Sequence, residues 1–195
     1  MEAQKNRESL INGILEIELQ MFLDVKSESG ASCQEHPDAF KQIRGSIYEL
    51  WSNAMLESYL QDLIIAKQNN RNLVVEKYAR MDNRILQIND NPLIGRIVEI
   101  EQKWQEELKL KYPAIYNHSC RDMNSSDNGS NFRVYLASEL ETYSDNTLEE
   151  YYKYVKKMFD NGDSLSIEML KRLAQKSGYD NLETLENLMS EGTIK

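Results

Sequence analysis

Apolar residues recur every three or four positions along most of this chain of 195 residues. In the first such segment they are Leu10, Ile14, Ile17, Met21 and Val25. Because an α-helix turns once in about 3.6 residues, this spacing places the apolar side chains on one helix face. No segment shows the strict alternation of a half-buried strand, and only 8 Gly and 3 Pro interrupt the pattern. The sequence therefore predicts an all-α protein.

The breaks in this periodicity divide the chain into predicted helices. Asparagine clusters, prolines at helix starts and serines at capping positions mark the boundaries. Nine helices are predicted, at residues 6–27, 38–51, 53–68, 73–88, 92–111, 131–142, 145–160, 164–177 and 181–189. The polar stretch 112–130 is predicted to be the longest loop.

The two halves of the chain resemble each other. A shift of 83 residues places ILEIE (14–18) on IVEIE (97–101), with four of the five residues identical. A shift of 92 residues aligns 40–80 with 132–172 without a gap, and 11 of these 41 pairs are identical. Similarity between successive parts of one chain is typical of repeat architectures.

This similarity predicts the domain organisation. Two tandem repeats of about four helices each, at about 10–88 and 94–178, are expected to pack into one compact helical domain. The domain would span residues 1–195 and include a short C-terminal helix at 181–189. A chain of this length can bury a substantial core.

The charge of the chain limits its partners and its compartment. The 32 acidic and 23 basic residues give a net charge of −9, which repels phosphate backbones, so no nucleic-acid binding is expected. No apolar run approaches the length of a membrane span, and no export signal is visible. We therefore expect a cytoplasmic protein that has no contact with membranes and in which Cys33 and Cys120 are unpaired thiols.

A glutamate interrupts the apolar stripe of the first predicted helix. Glu18 lies between Ile14 and Met21 in that stripe, and Glu101 holds the corresponding position in the second half. A buried carboxylate is costly unless it is paired. Arg44, set in the apolar stripe of the second helix, is the expected partner. Glu18 is therefore predicted to be largely buried and bonded to Arg44, or to one of three residues of the fourth helix: Lys77, Tyr78 or Arg80.

The fourth helix adds further polar groups to the first repeat. The candidate ligand-binding residues of that repeat are Glu18, Arg44, Glu76, Lys77, Tyr78 and Arg80. In the second half, Leu136 aligns with Arg44 and Met169 aligns with Lys77. Because only the first half has basic residues at these positions, a functional polar site is expected there.

Several interpretations of these residues remain open. The buried pair could specify the fold, bind a polar ligand in a cavity, or form a catalytic site. The glutamates duplicated on four helices lack the Glu-x-x-His spacing of carboxylate-bridged metal pairs, so neither a metal nor a cofactor is expected. Cys33, close to the start of the second helix, is a candidate thiol, and an inert side chain is the simpler interpretation.

Several segments resemble a family of bacterial proteins. EIELQMF (16–22), ASCQEHPDAFKQIRGSIYELW (31–51) and NLVVEKYARM (72–81) are similar to signature segments of domain of unknown function 4125. The similarity extends to IVEIEQKWQEE (97–107) and LETYSDNTLEEY (140–151), and so to nearly the whole chain. The resemblance supports the helix boundaries and the interest of Glu18, Cys33, Arg44, Glu76, Lys77 and Tyr78. It implies no reaction.

The functional expectation is a binding or accessory protein whose partner is a small polar molecule or another protein. One alternative is an enzyme that uses Glu18 or Glu76 as acid or base on a small anionic substrate, with Arg44 orienting that substrate. A second alternative is a structural module for protein–protein interaction.

Overall fold

Ten α-helices form the secondary structure of the part of the chain that the structure describes. The computed structural model describes residues 2–25, 36–119 and 131–193. The helices are α1 (Glu2–Leu23), α2 (Pro37–Tyr48), α3 (Asn53–Gln68), α4 (Leu73–Met81), α5 (Leu93–Lys111), α6 (Pro113–Ser119), α7 (Phe132–Leu140), α8 (Asp145–Asp160), α9 (Leu165–Lys176) and α10 (Leu182–Ser190). These described ranges contain no strand, which confirms the all-α prediction, and no helix in them has both the length and the apolar character needed to cross a membrane.

Most predicted boundaries agree with the structure to within four residues, but α4 is much shorter than predicted. The periodicity predicts a helix over 73–88, whereas α4 ends at Met81. Asn83 adopts a left-handed backbone conformation with φ of 53°, and the N–H of Arg84 donates to the carbonyl of Ala79 at 2.8 Å. A left-handed residue with this backward hydrogen bond terminates a helix. The helical prediction for 82–88 is therefore wrong.

The predicted loop 112–130 contains a helix, α6. Glu186 of α10 accepts hydrogen bonds from the backbone N–H groups of Ala114 and Ile115 at 2.8 and 2.9 Å. These N–H groups belong to the first turn of α6, where no partner exists within the helix. A residue about 70 positions away thus caps α6, which is why the local sequence did not predict it. Residues 120–130 lie outside the described ranges.

Arg7 of α1 fixes the corner between α2 and α3. Its Nη2 donates to the carbonyl oxygens of Glu49 and Trp51 at 3.0 and 2.6 Å, and its Nη1 donates to Oδ1 of Asn53 at 2.6 Å. The last carbonyls of a helix have no partner within the helix. The Arg7 guanidinium therefore satisfies the end of α2 and holds it against α1.

The helices pack as two groups that share one core. α1 contacts α2, α3 and α4, and α5 contacts α7, α8 and α9. Contacts between α3 and α8, between α4 and α7, and between α2 and α9 join the groups. At the α3–α8 contact, Oδ2 of Asp62 accepts from the N–H of Ser144 at 3.0 Å and from the hydroxyl of Thr147 at 2.7 Å.

Aromatic rings fill the centre of this core. Trp51 is surrounded by Tyr48, Tyr59, Tyr143 and Tyr151, with ring centroids 5.0 to 6.4 Å away. Such ring pairs stabilise a fold by more than the burial of their apolar area alone. A second, smaller apolar cluster joins the end of α5 to α6, α9 and α10. The tyrosine hydroxyls of the main core reach the polar groups described below.

Replacing Arg7 tests the anchoring of the α2–α3 corner. Arg7→Gln removes the guanidinium and leaves the carbonyls at the end of α2 without their donor. Hydrogen bonds to charged groups contribute about 1.5–3 kcal/mol, so the free energy of unfolding in urea is expected to fall by about that amount. Arg96→Gln, at an exposed position on α5, is the matched control and should change it by less than about 0.5 kcal/mol. Equal effects of the two variants would contradict this role.

Candidate functional site

The buried ion pair predicted for Glu18 is present. Glu18 is 2% exposed, and Arg44 of α2 contacts both of its carboxylate oxygens. Arg44 Nε donates to Oε2 at 3.1 Å, and Nη2 donates to Oε1 at 2.7 Å. This two-pronged geometry is the strongest form of the arginine–carboxylate pair. It ties α1 to α2 at the centre of the first group of helices.

Two tyrosines complete the surroundings of Glu18. The hydroxyl of Tyr59 donates to Oε1 at 2.6 Å, and the hydroxyl of Tyr48 donates to Oε2. Arg44 Nη2 in turn donates to the Tyr48 oxygen at 2.5 Å. An ionised carboxylate offers about four lone-pair positions, and Glu18 receives two hydrogen bonds on each oxygen. Its acceptor capacity is therefore filled.

Glu139 of α7 is a second buried carboxylate, which the sequence interpretation missed. Its Oε1 lies 2.9 Å from Arg44 Nη2, its Oε2 accepts from Lys77 Nζ at 2.5 Å, and the hydroxyl of Tyr143 donates to Oε1 at 3.1 Å. Burial by itself raises the pKa of Glu139, but the positive charges of Arg44 and Lys77 outweigh burial and hold that pKa well below its usual range. Glu139 therefore links α2, α4 and α7.

Two carboxylates and two cations alternate in this arrangement, in the order Glu18, Arg44, Glu139 and Lys77, which we call the polar network. Burial lowers the pKa values of Arg44 and Lys77, but the neighbouring carboxylates outweigh burial and raise both. Arg44, Lys77 and Glu139 are thus held in their charged forms by their neighbours, and the formal charges of the polar network cancel.

Three other predicted site residues, Glu76, Tyr78 and Arg80, are not part of the polar network. Tyr78 lies beside it, with its ring centroid 5.9 Å from Lys77 Nζ. Glu76 instead pairs with Arg71, whose Nε and Nη2 donate at 2.8 and 2.7 Å. Arg80 pairs with Glu141 of α7. Neither Glu76 nor Arg80 contacts Glu18.

A cavity of about 380 Å³ opens onto the polar network, and we call it the first cavity. Its lining residues are Glu18, Phe22, His36, Ala39, Phe40, Ile43, Arg44, Tyr59, Leu73, Val74, Lys77, Tyr78, Tyr135, Glu139 and Thr142. Most of this surface is apolar or aromatic, and the charged groups of the polar network form part of its wall. Lys77 Nζ also lies 3.6 Å from the ring centroid of Tyr135, a favourable cation–π contact.

A second cavity of about 260 Å³ shares Arg44, Tyr135 and Glu139 with the first. Glu101, the counterpart of Glu18, lies in its wall and is 8% exposed. The hydroxyl of Tyr151 donates to Glu101 at 2.5 Å, and Glu101 forms no ion pair within the described ranges. Burial raises the pKa of Glu101 to about 7, since the hydrogen bond from Tyr151 offsets only part of this effect and the charge of Glu139 adds to it.

Replacing the shared cation tests the polar network. Arg44→Met leaves both Glu18 and Glu139 without the guanidinium that they share. Stranding one buried charge costs about 3–5 kcal/mol, so the free energy of unfolding is expected to fall by at least that range. Arg133→Met, an exposed arginine on α7, is the matched control and should have little effect in the same denaturation experiment. A small effect for Arg44→Met would mean that the polar network does not stabilise the fold.

The pH dependence of stability tests the state of Glu101. The pKa of about 7 in the folded protein exceeds the value of about 4.3 in an unfolded chain. Stability linked to Glu101 is therefore fully present below about pH 4.3 and is lost as the pH rises through about 7. Relative to that of the unaltered protein, the free energy of unfolding of Glu101→Gln should therefore rise by about 2–3 kcal/mol from pH 5 to pH 8.

Urea denaturation at each pH measures this gain for Glu101→Gln. Glu99→Gln, an exposed position on the same helix, is the control and should show no such gain. A constant difference between Glu101→Gln and the unaltered protein across this pH range would show that Glu101 does not titrate near neutral pH.

Two predictions concern residues that the structure does not describe. Cys33 and Cys120, predicted to be unpaired thiols, lie outside the described residues.

Among the residues that are described, no three His, Cys, Asp or Glu side chains are arranged to hold a metal ion.

Comparison with known proteins places the chain in a family. The family model described as Protein of unknown function (DUF4125) matches residues 8–187, and so includes α2 to α9 and the residues of the polar network. No curated protein and no solved structure matched the chain. Since the match covers most of the 195 residues, the chain belongs to the DUF4125 family.

Proposed function

We propose that this protein binds a small molecule in the first cavity and that the ligand has an anionic end and an apolar body. The observation that carries the proposal is an excess of hydrogen-bond donors on the charged wall of an otherwise apolar cavity. A cavity of about 380 Å³ lies within the usual range of small-molecule sites, about 300–1,000 Å³. In such sites a few polar groups orient the ligand, and the apolar walls supply most of the buried area.

The donors come from the two cations of the polar network. Nη1 of Arg44 makes no hydrogen bond to any described residue. Within the described ranges, only two buried side-chain polar atoms lack a partner, Trp51 Nε1 and Gln105 Oε1. Because Nη1 of Arg44 lacks a partner and is not one of these two atoms, it keeps accessible surface. Lys77 has three ammonium N–H groups and one carboxylate partner.

The acceptors on the same wall are nearly all in use. Glu18 is filled by Arg44, Tyr48 and Tyr59. Glu139 has one unused acceptor position, on Oε2, whose other position accepts from Lys77. Donors therefore exceed acceptors, and a ligand that supplies acceptor oxygens, such as a carboxylate or a sulfonate, complements this wall better than one that supplies donors.

The other walls suit the apolar body of such a ligand. The rings of Phe22 and Phe40 stack with centroids 4.8 Å apart, and Ile43 and Val74 continue the apolar surface. Burying a ligand ring or alkyl chain here is favourable by about 25 cal/mol for each Å² removed from water. Apolar burial would therefore supply most of the affinity, and the polar network would set the orientation.

Binding is favoured over the two alternative functions by the positions of the glutamates. Glu18 has no acceptor position left for a substrate proton, so it suits a positioning role better than that of a general base. Glu76 pairs with Arg71 away from the first cavity. A purely structural interaction module would not need a cavity with unused donors.

We also propose that the chain consists of two copies of one four-helix unit packed into one domain. In support, α1 packs on α2, α3 and α4, as α5 packs on α7, α8 and α9. Helices α3 and α8 both have 16 residues and a serine N-cap. Tyr59 bonds Glu18 as Tyr151 bonds Glu101. A crystal structure in which the two sets of helices fail to superpose in this order would contradict the proposal.

Binding of an anionic aromatic dye tests the proposed function. The fluorescence of 1-anilinonaphthalene-8-sulfonate, which has a sulfonate and an apolar ring body, should increase in a saturable way with the folded protein. Val74→Trp puts a large side chain into the first cavity and should abolish this increase. Val75→Trp, the neighbouring position on α4 and 40% exposed, is the matched control and should leave it unchanged. Equal binding by both variants would contradict a site in the first cavity.

A charge variant tests the role of the donors. Lys77→Met removes the ammonium group, and dye binding is expected to weaken by about tenfold, the loss of one charge-assisted hydrogen bond. Lys67→Met, an exposed lysine on α3, should bind the dye as the unaltered protein does. Circular dichroism checks that both variants are folded. Unchanged affinity in a folded Lys77→Met would show that the charged wall does not recognise the anion.

A further inference from the structure

We propose that the second cavity is a separate site for a small organic cation that carries an ammonium or guanidinium group next to a compact apolar body. The proposal is independent of the function proposed for the first cavity. Arg44, Tyr135 and Glu139 line both cavities, but Glu101 and Gln105, which carry the proposal, line only the second, and the ligand has the opposite charge. It rests on an uncompensated carboxylate, on aromatic walls and on an amide oxygen without a partner.

The carboxylate is Glu101. Glu18 and Glu101 hold corresponding positions in the two halves, and each accepts a hydrogen bond from a tyrosine, at 2.6 Å from Tyr59 and at 2.5 Å from Tyr151. Glu18 also has Arg44, whereas the residue that aligns with Arg44 in the second half is Leu136. Leu136 lines the second cavity. The second cavity is thus bordered by the carboxylate of Glu101 and by Leu136, the residue that aligns with the arginine paired with Glu18.

No charge on the neighbouring helices compensates Glu101. α2 contributes Arg44, which is already paired with Glu18 and Glu139. α7 contributes Glu139, which is itself negative, and α8 contributes Tyr151. α9 contributes uncharged residues only, and α6 contributes none of the lining residues. A bound cation would therefore supply the positive charge that the described residues do not provide.

The walls of the second cavity suit an organic cation. Five aromatic side chains line it: Trp51, Phe132, Tyr135, Tyr143 and Tyr151. Aromatic faces attract cations, most strongly where water is excluded. This composition distinguishes the site from a simple acidic patch and favours an organic ammonium or guanidinium over a hydrated metal ion.

A further acceptor lies in the same wall. Gln105 is 7% exposed, its Nε2 donates to Oγ of Ser166 at 3.0 Å, and its Oε1 has no partner among the described residues. A buried acceptor without a partner is costly, and an N–H group of the ligand would satisfy it. Glu101 and Gln105 are four residues apart on α5, so both lie on the same face of that helix. One ammonium group has enough N–H donors for both.

Binding of a cation should depend on pH, because Glu101 must ionise to bind it. Burial raises the pKa of Glu101 to about 7, so the carboxylate is mostly protonated at pH 5.5 and mostly ionised at pH 8. The affinity for a ligand that stays cationic over this range is therefore expected to be at least about tenfold higher at pH 8. Glu139 does not contribute to this dependence, because its pKa lies well below the range.

Calorimetric titration with benzylamine tests the proposal. Benzylamine stays cationic from pH 5.5 to 8, and benzyl alcohol is its neutral counterpart of similar shape. The protein is expected to bind benzylamine at pH 8, to bind it at least tenfold more weakly at pH 5.5, and to show no measurable binding of benzyl alcohol. Equal binding of amine and alcohol, or no binding of the amine at pH 8, would overturn the proposal.

Two variants locate the site. Glu101→Gln keeps the shape of the side chain and should abolish amine binding, whereas Glu99→Gln on the same helix should not change it. Leu136→Arg supplies an internal cation at the position that aligns with Arg44 and should also abolish binding. If Glu101→Gln does not fold, a folded Leu136→Arg that still binds benzylamine overturns the proposal. Dye binding in the first cavity should persist in Glu101→Gln, so failure of one site can be distinguished from failure of the other.

Discussion

Arg44 places one guanidinium between two buried carboxylates, Glu18 of α1 and Glu139 of α7. An ionised carboxylate left in the core without a positive charge costs several kcal/mol, so the shared guanidinium stabilises the packing around both. The position of α2 is thereby tied to helices from both groups, and Lys77 adds α4 through Glu139.

Glu18 and Glu101, which align in the two halves of the sequence, have different partners. In the first half the carboxylate of Glu18 is fully satisfied, and the surplus on the cavity wall consists of donors from Arg44 and Lys77. In the second half Leu136 and Met169 align with these cations, and Glu101 has only a tyrosine as hydrogen-bond partner among the described residues. The proposed preferences of the two cavities, for an anion and for a cation, follow from these differences at two aligned positions.

The features that the sequence predicts well are those set by local periodicity, and the errors arise from contacts over long distances. Glu18 and Arg44 each lie in a regular apolar stripe, so their pairing follows from helix geometry. Glu139 lies in the stripe of α7 too, three residues after Leu136, and the same criterion applied there would have found it. α6 depends on a cap from Glu186 of α10, which no local pattern reveals. Asn83 ends α4 early because it adopts a left-handed conformation, although the apolar spacing continues.

A crystal structure of the protein with bound 1-anilinonaphthalene-8-sulfonate shows whether the polar network orients a ligand in the first cavity. A sulfonate oxygen is expected within hydrogen-bond distance of Arg44 Nη1 or Lys77 Nζ, with the rings between Phe40 and Val74. Dye bound elsewhere on the protein, or bound in the first cavity with its sulfonate turned away from both cations, would mean that the polar network does not orient the ligand.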